Sequence, residues 1–444
     1  MKKLEKAALS QAGRPHVVII GGGFGGLAAA KALRSAPVRI TLIDRRNHHL
    51  FQPLLYQVAT AALPPGHIAA PIRGLLKEHD NVTVVLGEVT GIQAESSTVC
   101  VDLAGGGKSQ VDYDYLVVAT GAEHSYFGRD EFARHAPGMK TLADALTIRQ
   151  KILQAFEHAE AEGSMASDGL LTFVLVGAGP TGVEIAGALA LLTRKTLKSS
   201  FRNIDPGSAR IILIDQSQRI LGAFEEDLSE KARKHLEGLG VEVRLGHGIE
   251  QIDESGVVVG GERIASRTVI WTAGVAASPV GKWLKADTDR AGRILIQSDL
   301  TITGHPNIFV LGDTACLEQN GRPLPGVAQV AMQQGSYAGK LIGRRVAGKE
   351  DLPAFRYFDK GNMAVVSGKY AVVQSGKVRL NGLLGWLPWA AIHIAYLPKL
   401  HLRISVFMQW VWTHLVGVHS SMLISQKAGH SSHHRVTERL ETSD

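Results

Sequence analysis

The sequence predicts an α/β protein with two Rossmann-like dinucleotide-binding domains, followed by a C-terminal helical region. A pattern of strand, glycine-rich turn and helix occurs near the N-terminus and returns about 156 residues later, which predicts the paired domains. The composition changes after Asp351, where the chain becomes basic and rich in tryptophan, and this change predicts the third region.

The first unit begins with His16–Ile20, a short apolar run rich in β-branched residues that is typical of a buried strand. A glycine-rich turn at 21–26 and an alanine-rich helix at 27–33 follow it. A second apolar run, 38–43, predicts the next strand and ends at Asp44. Together these segments predict a βαβ unit.

The glycines of this turn have the spacing that a bound dinucleotide requires. Gly21 and Gly23 allow a tight turn that approaches a pyrophosphate, and Gly26 lets the helix pack closely on the strand. Asp44 lies 23 positions after Gly21, where a carboxylate reaches a ribose hydroxyl. The alternative is a glycine-rich surface turn, but strand, helix and acid in register favour a nucleotide site.

The second unit repeats the order with Leu170–Val176, the turn 177–182, the helix 183–192 and the strand Arg210–Ile214, which ends at Asp215. Its turn glycines are Gly177, Gly179 and Gly182. Asp215 follows Gly177 by 38 positions, beyond the usual spacing of about 20. The basic stretch 194–210 is expected to lengthen the helix or its loop.

An acid at the end of this strand favours NADH. The alternative is NADPH, whose 2′-phosphate is compatible with Arg219, four residues after Asp215. Two nucleotide sites in one chain predict a redox relay, with hydride entering from one nucleotide and leaving by the other.

Further strands are expected at 82–85, 98–102, 116–118 and 308–311, with Gly105–Gly107 as a hairpin turn. The resulting domain prediction is a discontinuous FAD-binding domain at 14–124 and 288–350, an NAD(H)-binding domain at 125–287, and a C-terminal membrane-association region with a polar tail at 351–444.

The order of five motifs resembles the two-dinucleotide-binding-domain flavoproteins. These motifs are GGGFGG (21–26), ATG (119–121), GAGPTGVE (177–184), TAG (272–274) and FVLGD (309–313). In that family the first fold holds FAD and the second holds NAD(P)H. The resemblance covers nearly the whole chain.

Three more segments resemble the type II NADH:quinone oxidoreductases, which are single-subunit respiratory dehydrogenases that do not pump protons. These segments are HLFQPLLY (49–56), AQVAMQQG (328–335) and DKGNM (359–363). The resemblance implies an enzyme that passes hydride from NADH to FAD and two electrons to a membrane quinone.

The same resemblance, with the turn analysis, names the cofactor-binding residues. Those around the first unit and its later strands are Gly21, Gly23, Phe24, Gly26, Asp44, Arg45, Pro53, Leu54, Val89, Ala119, Thr120, Gly121, Gly312, Asp313, Ala328, Gln329 and Lys360. Those around the second unit are Gly177, Gly179, Pro180, Thr181, Gly182, Glu184, Asp215 and Gly274.

Glu184, Gln329 and Gln333 are the candidate catalytic residues. By resemblance, Glu184 lies near nicotinamide, flavin and quinone, where a carboxylate relays a proton to reduced quinone. Gln329 and Gln333 share one helical face, which by resemblance lies against the flavin and the quinone head group. The simpler alternatives are a carboxylate stabilised by the helix dipole and amides that cap neighbouring backbone.

The C-terminal region carries ten Lys and Arg against five Asp and Glu, and four of the six tryptophans. Two apolar stretches, 383–397 and 404–418, are each about 15 residues, or ~22 Å of helix, against a bilayer core of about 30 Å. We therefore expect two interfacial helices, with membrane contact through 383–419. Their tryptophans, Trp386, Trp389, Trp410 and Trp412, are expected at the level of the lipid headgroups.

A buried helical hairpin or a homodimer interface is the alternative use of these stretches. The family that the chain resembles usually carries a tighter arginine cluster here, whereas this chain has Lys399 and Arg403. The tail from Ser425 is polar and His-rich and is expected to be disordered, and residues before His16 are expected to form a short tail rather than a signal peptide. The expected location is peripheral, on the cytoplasmic face of the cell inner membrane.

Cysteine content excludes other chemistries. Cys100 and Cys316 do not form a CxxC pair, so no metal ligands are expected. A disulfide reductase would need a cysteine pair just after the first unit, and 45–60 contain none. A sulfide:quinone oxidoreductase would need more than the single Cys316 near the flavin, and the GAGPTGVE motif favours NADH. The net charge is +7, but no nucleic-acid motif accompanies it. A reductase of a soluble acceptor such as ferredoxin, and a membrane-associated flavoprotein sensor, stay as alternatives.

Overall fold

The computed structural model describes residues 13–163, 168–416 and 421–424. Residues 1–12 of the N-terminal tail, the tail from Ser425 and positions 164–167 and 417–420 lie outside these residues. The helices are α1 (Phe24–Ala32), α2 (Leu55–Ala59), α3 (Ile72–Leu75), α4 (Leu142–Glu162), α5 (Pro180–Leu191), α6 (Glu226–Gly238), α7 (Val280–Leu284), α8 (Ala328–Val346), α9 (Gly382–Tyr396) and α10 (Leu400–Val416).

The first sheet has eight strands and contains the first glycine-turn unit. In order across the sheet its strands, numbered along the chain, are β19 (Thr301–Ile302), β20 (His305–Val310), β8 (Tyr115–Val118), β1 (His16–Ile20), β2 (Arg39–Asp44), β5 (Val82–Gln93), β6 (Thr98–Leu103) and β7 (Lys108–Asp112). The run from β20 to β5 is parallel. Every residue of β1 is buried, as expected of a parallel strand covered on both faces.

The second sheet contains the second unit and is wholly parallel. Its order is β12 (Val241–Leu245), β11 (Arg210–Asp215), β10 (Thr172–Val176) and β16 (Thr268–Trp271). Two antiparallel sheets accompany it, β13 (Ile249–Asp253), β14 (Gly256–Val259) and β15 (Glu262–Ala265), and β24 (Asn362–Ser367), β25 (Tyr370–Ser375) and β26 (Val378–Asn381). Both predicted βαβ units are therefore present, and the predicted strands match within a few residues, apart from the longer β5.

Short strand pairs complete the structure. They are β3 (His48–Leu50) with β4 (Ala69–Pro71), β9 (Ala122–His124) with β17 (Val275–Ala277), β18 (Ile294–Leu295) with β21 (Ala315–Cys316), and β22 (Glu318–Gln319) with β23 (Arg322–Pro323). The β9–β17 pair joins the two segments where the chain leaves the first sheet and returns to it. Val280 and Leu284 of α7 pack in the core of the first sheet, although the sequence prediction assigned 280–284 to the second domain.

The C-terminal region packs on the rest of the chain. Trp389 and Trp410 belong to the hydrophobic core that also contains α2 and α5, with side chains 1% and 9% exposed. The prediction that all four tryptophans lie at the lipid headgroups is therefore wrong for these two, because each packs inward from its helix. Trp412 is 57% exposed, and Trp386 is partly buried. Among the described residues, none of the helices combines the length and hydrophobicity needed to cross a bilayer.

The outward faces of α9 and α10 are apolar. Their exposed large side chains are Leu383, Leu384, Leu387, Ile392, Tyr396, Leu400, Ile404, Phe407, Met408, Trp412 and Leu415, which we call the apolar face. Lys399 and Arg403 lie at the turn between the two helices and donate to the backbone carbonyls of Gly74 and Leu397, at 2.7 and 2.9 Å.

Candidate active site

The first glycine turn has a backbone that side chains would obstruct. Gly21 has a φ of +102°, and a Cβ there would lie 2.3 Å from the carbonyl oxygen of Ala119. A Cβ on Gly26 would lie 1.9 Å from the carbonyl oxygen of Gly21, so α1 can approach β1 only with glycine at this position. Gly23 caps α1 and faces open space, with no atom within 4 Å of a Cβ placed on it. The turn therefore leaves room at the N-terminus of a helix.

The second turn repeats this geometry. Gly177 has a φ of +105°, and a Cβ on Gly182 would lie 1.9 Å from the carbonyl oxygen of Gly177. Gly179 caps α5 and again faces open space. Pro180 and Thr181 form the first positions of α5, where proline is favoured because its missing N–H would have no helical partner.

The two predicted ribose acids also occupy equivalent positions. Asp44 Oδ2 accepts from the backbone N–H of Gly22 at 2.6 Å, and Oδ1 accepts from that of Arg46 at 2.7 Å. Asp215 Oδ2 accepts from the N–H of Ala178 at 2.6 Å, and Oδ1 accepts from that of Ser217 at 2.7 Å. Each carboxylate is thus held against the second residue of its glycine turn.

The unusual spacing of Asp215 has a structural cause. After α5 the chain forms a π-helical turn at Leu192–Thr196, and a loop follows with a 3₁₀ turn at Pro206–Ser208. These additional residues precede β11, whose end carries Asp215 in the same register as Asp44 on β2. The expectation that the basic stretch lengthens the helix or its loop is confirmed.

Other predicted residues gather at the same edge of the first sheet, because parallel strands end together. Ala119–Gly121 follows β8, and Gly312 and Asp313 follow β20. The Thr120 hydroxyl lies 2.6 Å from that of Ser278 and 3.0 Å from that of Thr314. This cluster joins the end of β8 to the returning chain and to the turn that carries Asp313.

Two neighbours of Asp313 were missed by the sequence reasoning. Lys140 Nζ lies 3.4 Å from Asp313 Oδ2, and Gln334 Oε1 accepts from the N–H of Gly312 at 2.7 Å. Lys140 directly precedes the capping box of α4 formed by Thr141 and Asp144, a local signal that predicts the helix start but not this ion pair. Only the tertiary structure shows that Lys140 reaches Asp313.

Three of the predicted cofactor-binding residues, Arg45, Pro53 and Leu54, contact other parts of the protein in this structure. Arg45 forms exposed ion pairs with Glu123 at 3.2 Å and with Glu88, the neighbour of Val89, at 3.6 Å. Pro53 and Leu54 form a 3₁₀ turn in which Leu54 is fully buried.

Two more predicted residues lie beside exposed aromatic side chains. Gly274 has a φ of +79°, and a Cβ there would meet the ring of Phe127 at 2.4 Å. Lys360 Nζ donates to the hydroxyl of Tyr396 at 2.8 Å.

The two candidate glutamines hold the segment that leads into β24. Gln333 donates to the carbonyl of Phe358 at 2.9 Å and accepts from its N–H at 3.0 Å. Gln329, one helical turn earlier beside Ala328 on α8, donates to the carbonyl of Gly361 at 3.1 Å. Both amides therefore bind backbone in this structure, and they set where 358–361 lies.

Glu184, on α5, contacts the strand β24, which continues from the segment held by the two glutamines. Its carboxyl group accepts from the backbone N–H of Val365, and burial raises its pKa well above the usual value. A Cβ on Gly187 would lie 1.6 Å from the carbonyl oxygen of Val366, so α5 and β24 are in close contact. Gly361 and Val365 are four positions apart, or about 13 Å of extended chain, and this chain joins the backbone held by Gln329 to the backbone that contacts Glu184.

An aromatic series connects the first turn to the C-terminal helices. Phe24 packs edge-on against Phe51, with ring centroids 6.0 Å apart, and Phe51 packs against His393 at 6.2 Å. His393 stacks on Trp389 at 4.4 Å, and burial lowers its pKa to about 4. The histidine is therefore neutral at physiological pH and acts as a flat packing group.

The described residues contain no cluster of His, Cys, Asp or Glu able to hold a metal ion. Cys316 is buried, which raises its thiol pKa, and neither it nor Cys100 is in a disulfide. A buried thiol with a raised pKa is a poor nucleophile, so the structure gives no support to chemistry at cysteine.

Comparison with known proteins agrees with this geometry. Residues 15–335 match the family model described as pyridine nucleotide-disulphide oxidoreductase. A type II NADH:quinone oxidoreductase, NdhA, from Mycobacterium tuberculosis is 46% identical over 90% of this chain and 87% of its own length. A type II NADH:quinone oxidoreductase from Staphylococcus aureus is 32% identical over 79% of this chain and 87% of its own length.

A solved structure of NDH2 from Plasmodium falciparum in complex with NADH has the same fold. Its TM-score is 0.84 at 19% identity, with 91% of this chain and 99% of that chain covered.

Proposed function

The chain belongs to the type II NADH:quinone oxidoreductases, within the pyridine nucleotide-disulphide oxidoreductase family, and from this premise we propose how its residues divide the reaction. It is a flavoprotein that oxidises NADH and reduces quinone. When bound, FAD accepts two electrons from NADH and passes them to quinone, and the protein supplies binding, orientation and proton handling. The observation that carries the assignment is the pair of equivalent glycine turns, each with its own aspartate, in one chain.

The first turn is the proposed FAD site. The open space beside Gly23, at the N-terminus of α1, fits a pyrophosphate, because the first N–H groups of a helix have no internal partners. Asp44 stands where a ribose hydroxyl would be bound, and Asp313, restrained by Lys140, stands at the end of β20 on the same edge. The residues present therefore fit the cofactor.

The second turn is the proposed NADH site. Gly179 offers the same open space at α5, and Asp215 stands in the ribose position. A 2′-phosphate would meet the negative charge of Asp215, whereas Arg219 is exposed and donates to the carbonyl of Gly222. This arrangement favours NADH over NADPH.

Glu184 is the proposed proton donor to reduced quinone. Burial raises its pKa well above the usual value and so favours the protonated form, which is the form that a proton donor requires. Since α5 begins at the NADH turn and carries Glu184 in its next residues, the group lies close to that site. The segment held by Gln329 and Gln333 is the proposed opposite wall of the quinone site.

The apolar face of α9 and α10 is the proposed membrane contact, through which quinone enters from the bilayer. The helices are too short to span a bilayer, but their outward side chains suit an interfacial position. We place the enzyme on the cytoplasmic face of the cell inner membrane, where NADH is available. The alternative is a homodimer in which a second copy of the chain covers the same apolar face.

Anaerobic stopped-flow on the purified holoprotein tests the reaction. Mixing with NADH is expected to bleach the flavin absorbance, and subsequent mixing with a short-chain quinone is expected to restore it. Bleaching without restoration would indicate a different acceptor, such as a soluble protein, and no bleaching would contradict NADH oxidation.

Vesicle flotation tests the membrane contact. The double variant Leu384→Asp/Phe407→Asp is expected to lose flotation with vesicles that contain anionic lipid. Leu295→Asp, which adds the same charge at a 47%-exposed leucine outside the apolar face, is the matched control and should float like the wild type. A monomeric wild type that does not float would contradict the proposal, and a dimer that Leu384→Asp/Phe407→Asp dissociates would assign the face to self-association.

A further inference from the structure

Three buried polar side chains form a chain between α10 and the region of Glu184. Trp410 Nε1 donates to Gln57 Oε1 at 2.8 Å, and Gln57 Nε2 donates to the Tyr56 hydroxyl at 2.7 Å. Tyr56, Gln57 and Trp410 are 5%, 7% and 9% exposed. Burial at this level makes each hydrogen bond costly to lose, because water cannot replace the missing partner.

The chemistry of the three groups fixes the direction of the chain. An indole N–H only donates, so Gln57 must turn its oxygen toward Trp410 and its NH₂ toward Tyr56. The Tyr56 hydroxyl must therefore accept from Gln57, and its own hydrogen must point away from Gln57. A single donor on α10 thus sets the orientation of a phenol hydrogen on α2.

The helices that carry Tyr56 and Glu184 are in contact, because α2 packs on α5 within one hydrophobic core. Burial raises the pKa of Tyr56, and the carboxyl group of Glu184 raises it further, in agreement with this packing. The influence is reciprocal, because a phenol hydrogen turned toward a carboxyl group favours its ionised form.

Charged side chains lie on several elements packed against α5 and α2, and α4, which packs on α2, carries the buried Arg149. β10 and β24 have no acidic or basic side chains. The π-helical turn after α5 adds Lys195. The other charged groups on elements packed against α5 bind elsewhere, and they are Asp215 with Ala178 and Ser217, Arg194 with Gly240, Arg210 with Glu242, and Arg244 with Glu262.

We propose that Tyr56 is a positioning residue for Glu184, and that Trp410 holds the Tyr56 hydroxyl hydrogen toward the Glu184 carboxyl group through Gln57. The hydroxyl acts through its dipole or through one bridging water. The proposal rests on the assignment of Glu184 as proton donor. It links the helix that carries much of the apolar face to the group that handles the proton.

The test compares two Trp→Phe variants in the full-length holoprotein. Trp410→Phe removes the donor at the start of the chain. Trp389→Phe is the matched control, because Trp389 stacks on Trp410 at 5.4 Å, is also buried, and its indole N–H has no hydrogen-bond partner among the residues that the structure describes. Both variants lose the same volume, and only Trp410→Phe loses the hydrogen bond. Tyr56→Phe and Gln57→Leu remove the later members.

The primary readout is the pH at which the infrared C=O band of the protonated Glu184 carboxyl group disappears, identified by its absence in Glu184→Gln. Tyr56→Phe is expected to raise this midpoint by about one pH unit, since a hydrogen bond to the charged form is lost. Trp410→Phe and Gln57→Leu should raise it in the same direction, and Trp389→Phe should leave it unchanged. The pH profile of kcat should move with the midpoint, while KM for NADH stays constant.

Equal midpoints in Trp410→Phe and Trp389→Phe would overturn the proposal, as would an unchanged midpoint in Tyr56→Phe. The assignment of Glu184 fails separately, if Glu184→Gln retains full kcat with quinone. In that case the midpoint shifts would still decide whether the three residues position the carboxyl group.

Discussion

The assignment of one nucleotide to each turn predicts reciprocal effects of two matched substitutions, Asp44→Asn and Asp215→Asn. Each carboxylate accepts two backbone N–H groups at 2.6 and 2.7 Å and stands in the ribose position of its turn. Asn preserves the shape of the side chain but retains one acceptor oxygen. The two acids have equivalent backbone contacts, and Asp215 accepts in addition from the Ser217 hydroxyl, so differences in nucleotide binding between the variants report mainly on the bound nucleotide.

The expected magnitude follows from these contacts. Asn leaves one backbone donor facing an NH₂ group and removes the charge from the hydrogen bond to ribose. A hydrogen bond to a charged group contributes about 1.5–3 kcal/mol, so the affinity for the nucleotide of the altered turn should fall roughly 10- to 150-fold.

Two measurements separate the sites. The flavin absorbance relative to protein absorbance, after dilution and desalting, reports FAD retention, and steady-state kinetics with quinone report KM for NADH. Asp44→Asn should lose FAD while the FAD-reconstituted variant keeps its KM for NADH. Asp215→Asn should retain FAD while its KM for NADH rises. Loss of FAD from Asp215→Asn with an unchanged KM would refute the assignment.

Three further predictions concern the site and the core. Glu184 has a raised pKa in the folded protein, so its stabilising contribution is complete below the unfolded pKa of about 4.5 and is lost as the pH rises toward the folded value. The free energy of unfolding, measured with urea, should therefore be higher for Glu184→Gln than for the wild type, and the difference should grow with pH by up to about 1.4 kcal/mol per pH unit. A difference that does not change with pH would contradict the raised pKa. Gly335→Ala should destabilise the protein by about 1–3 kcal/mol, because its Cβ would lie 2.2 Å from the carbonyl oxygen of Gly25, whereas Gly238→Ala, with open space around its Cβ, should not lower the thermal midpoint. Iodoacetamide should alkylate Cys100 before Cys316 in the native protein without loss of NADH oxidation, and mass spectrometry that found Cys316 modified first would contradict its burial.

The two βαβ units could be predicted from the sequence because their signals are local. A buried apolar run, a glycine turn with fixed spacing and an acid at the next strand end follow from the backbone geometry of a few dozen residues. The paired turns and the end positions of Asp44 and Asp215 followed from these signals. The cause of the long spacing before Asp215 could also be predicted, because the extra residues form a π-helical turn and a loop that lie between α5 and β11.

The tertiary structure decided which distant residues share a site. Apolar stretches with tryptophans predicted interfacial helices, but the direction of each ring depended on packing, and Trp389 and Trp410 point into the core. The contacts of Lys140 with Asp313, of Gln333 with Phe358 and of Trp410 with Gln57 join positions 25 to 353 residues apart. Periodicity and turn chemistry describe neighbours along the chain, so the sequence by itself determined the two nucleotide folds, whereas the surroundings of Glu184 depended on how the C-terminal segments pack against them.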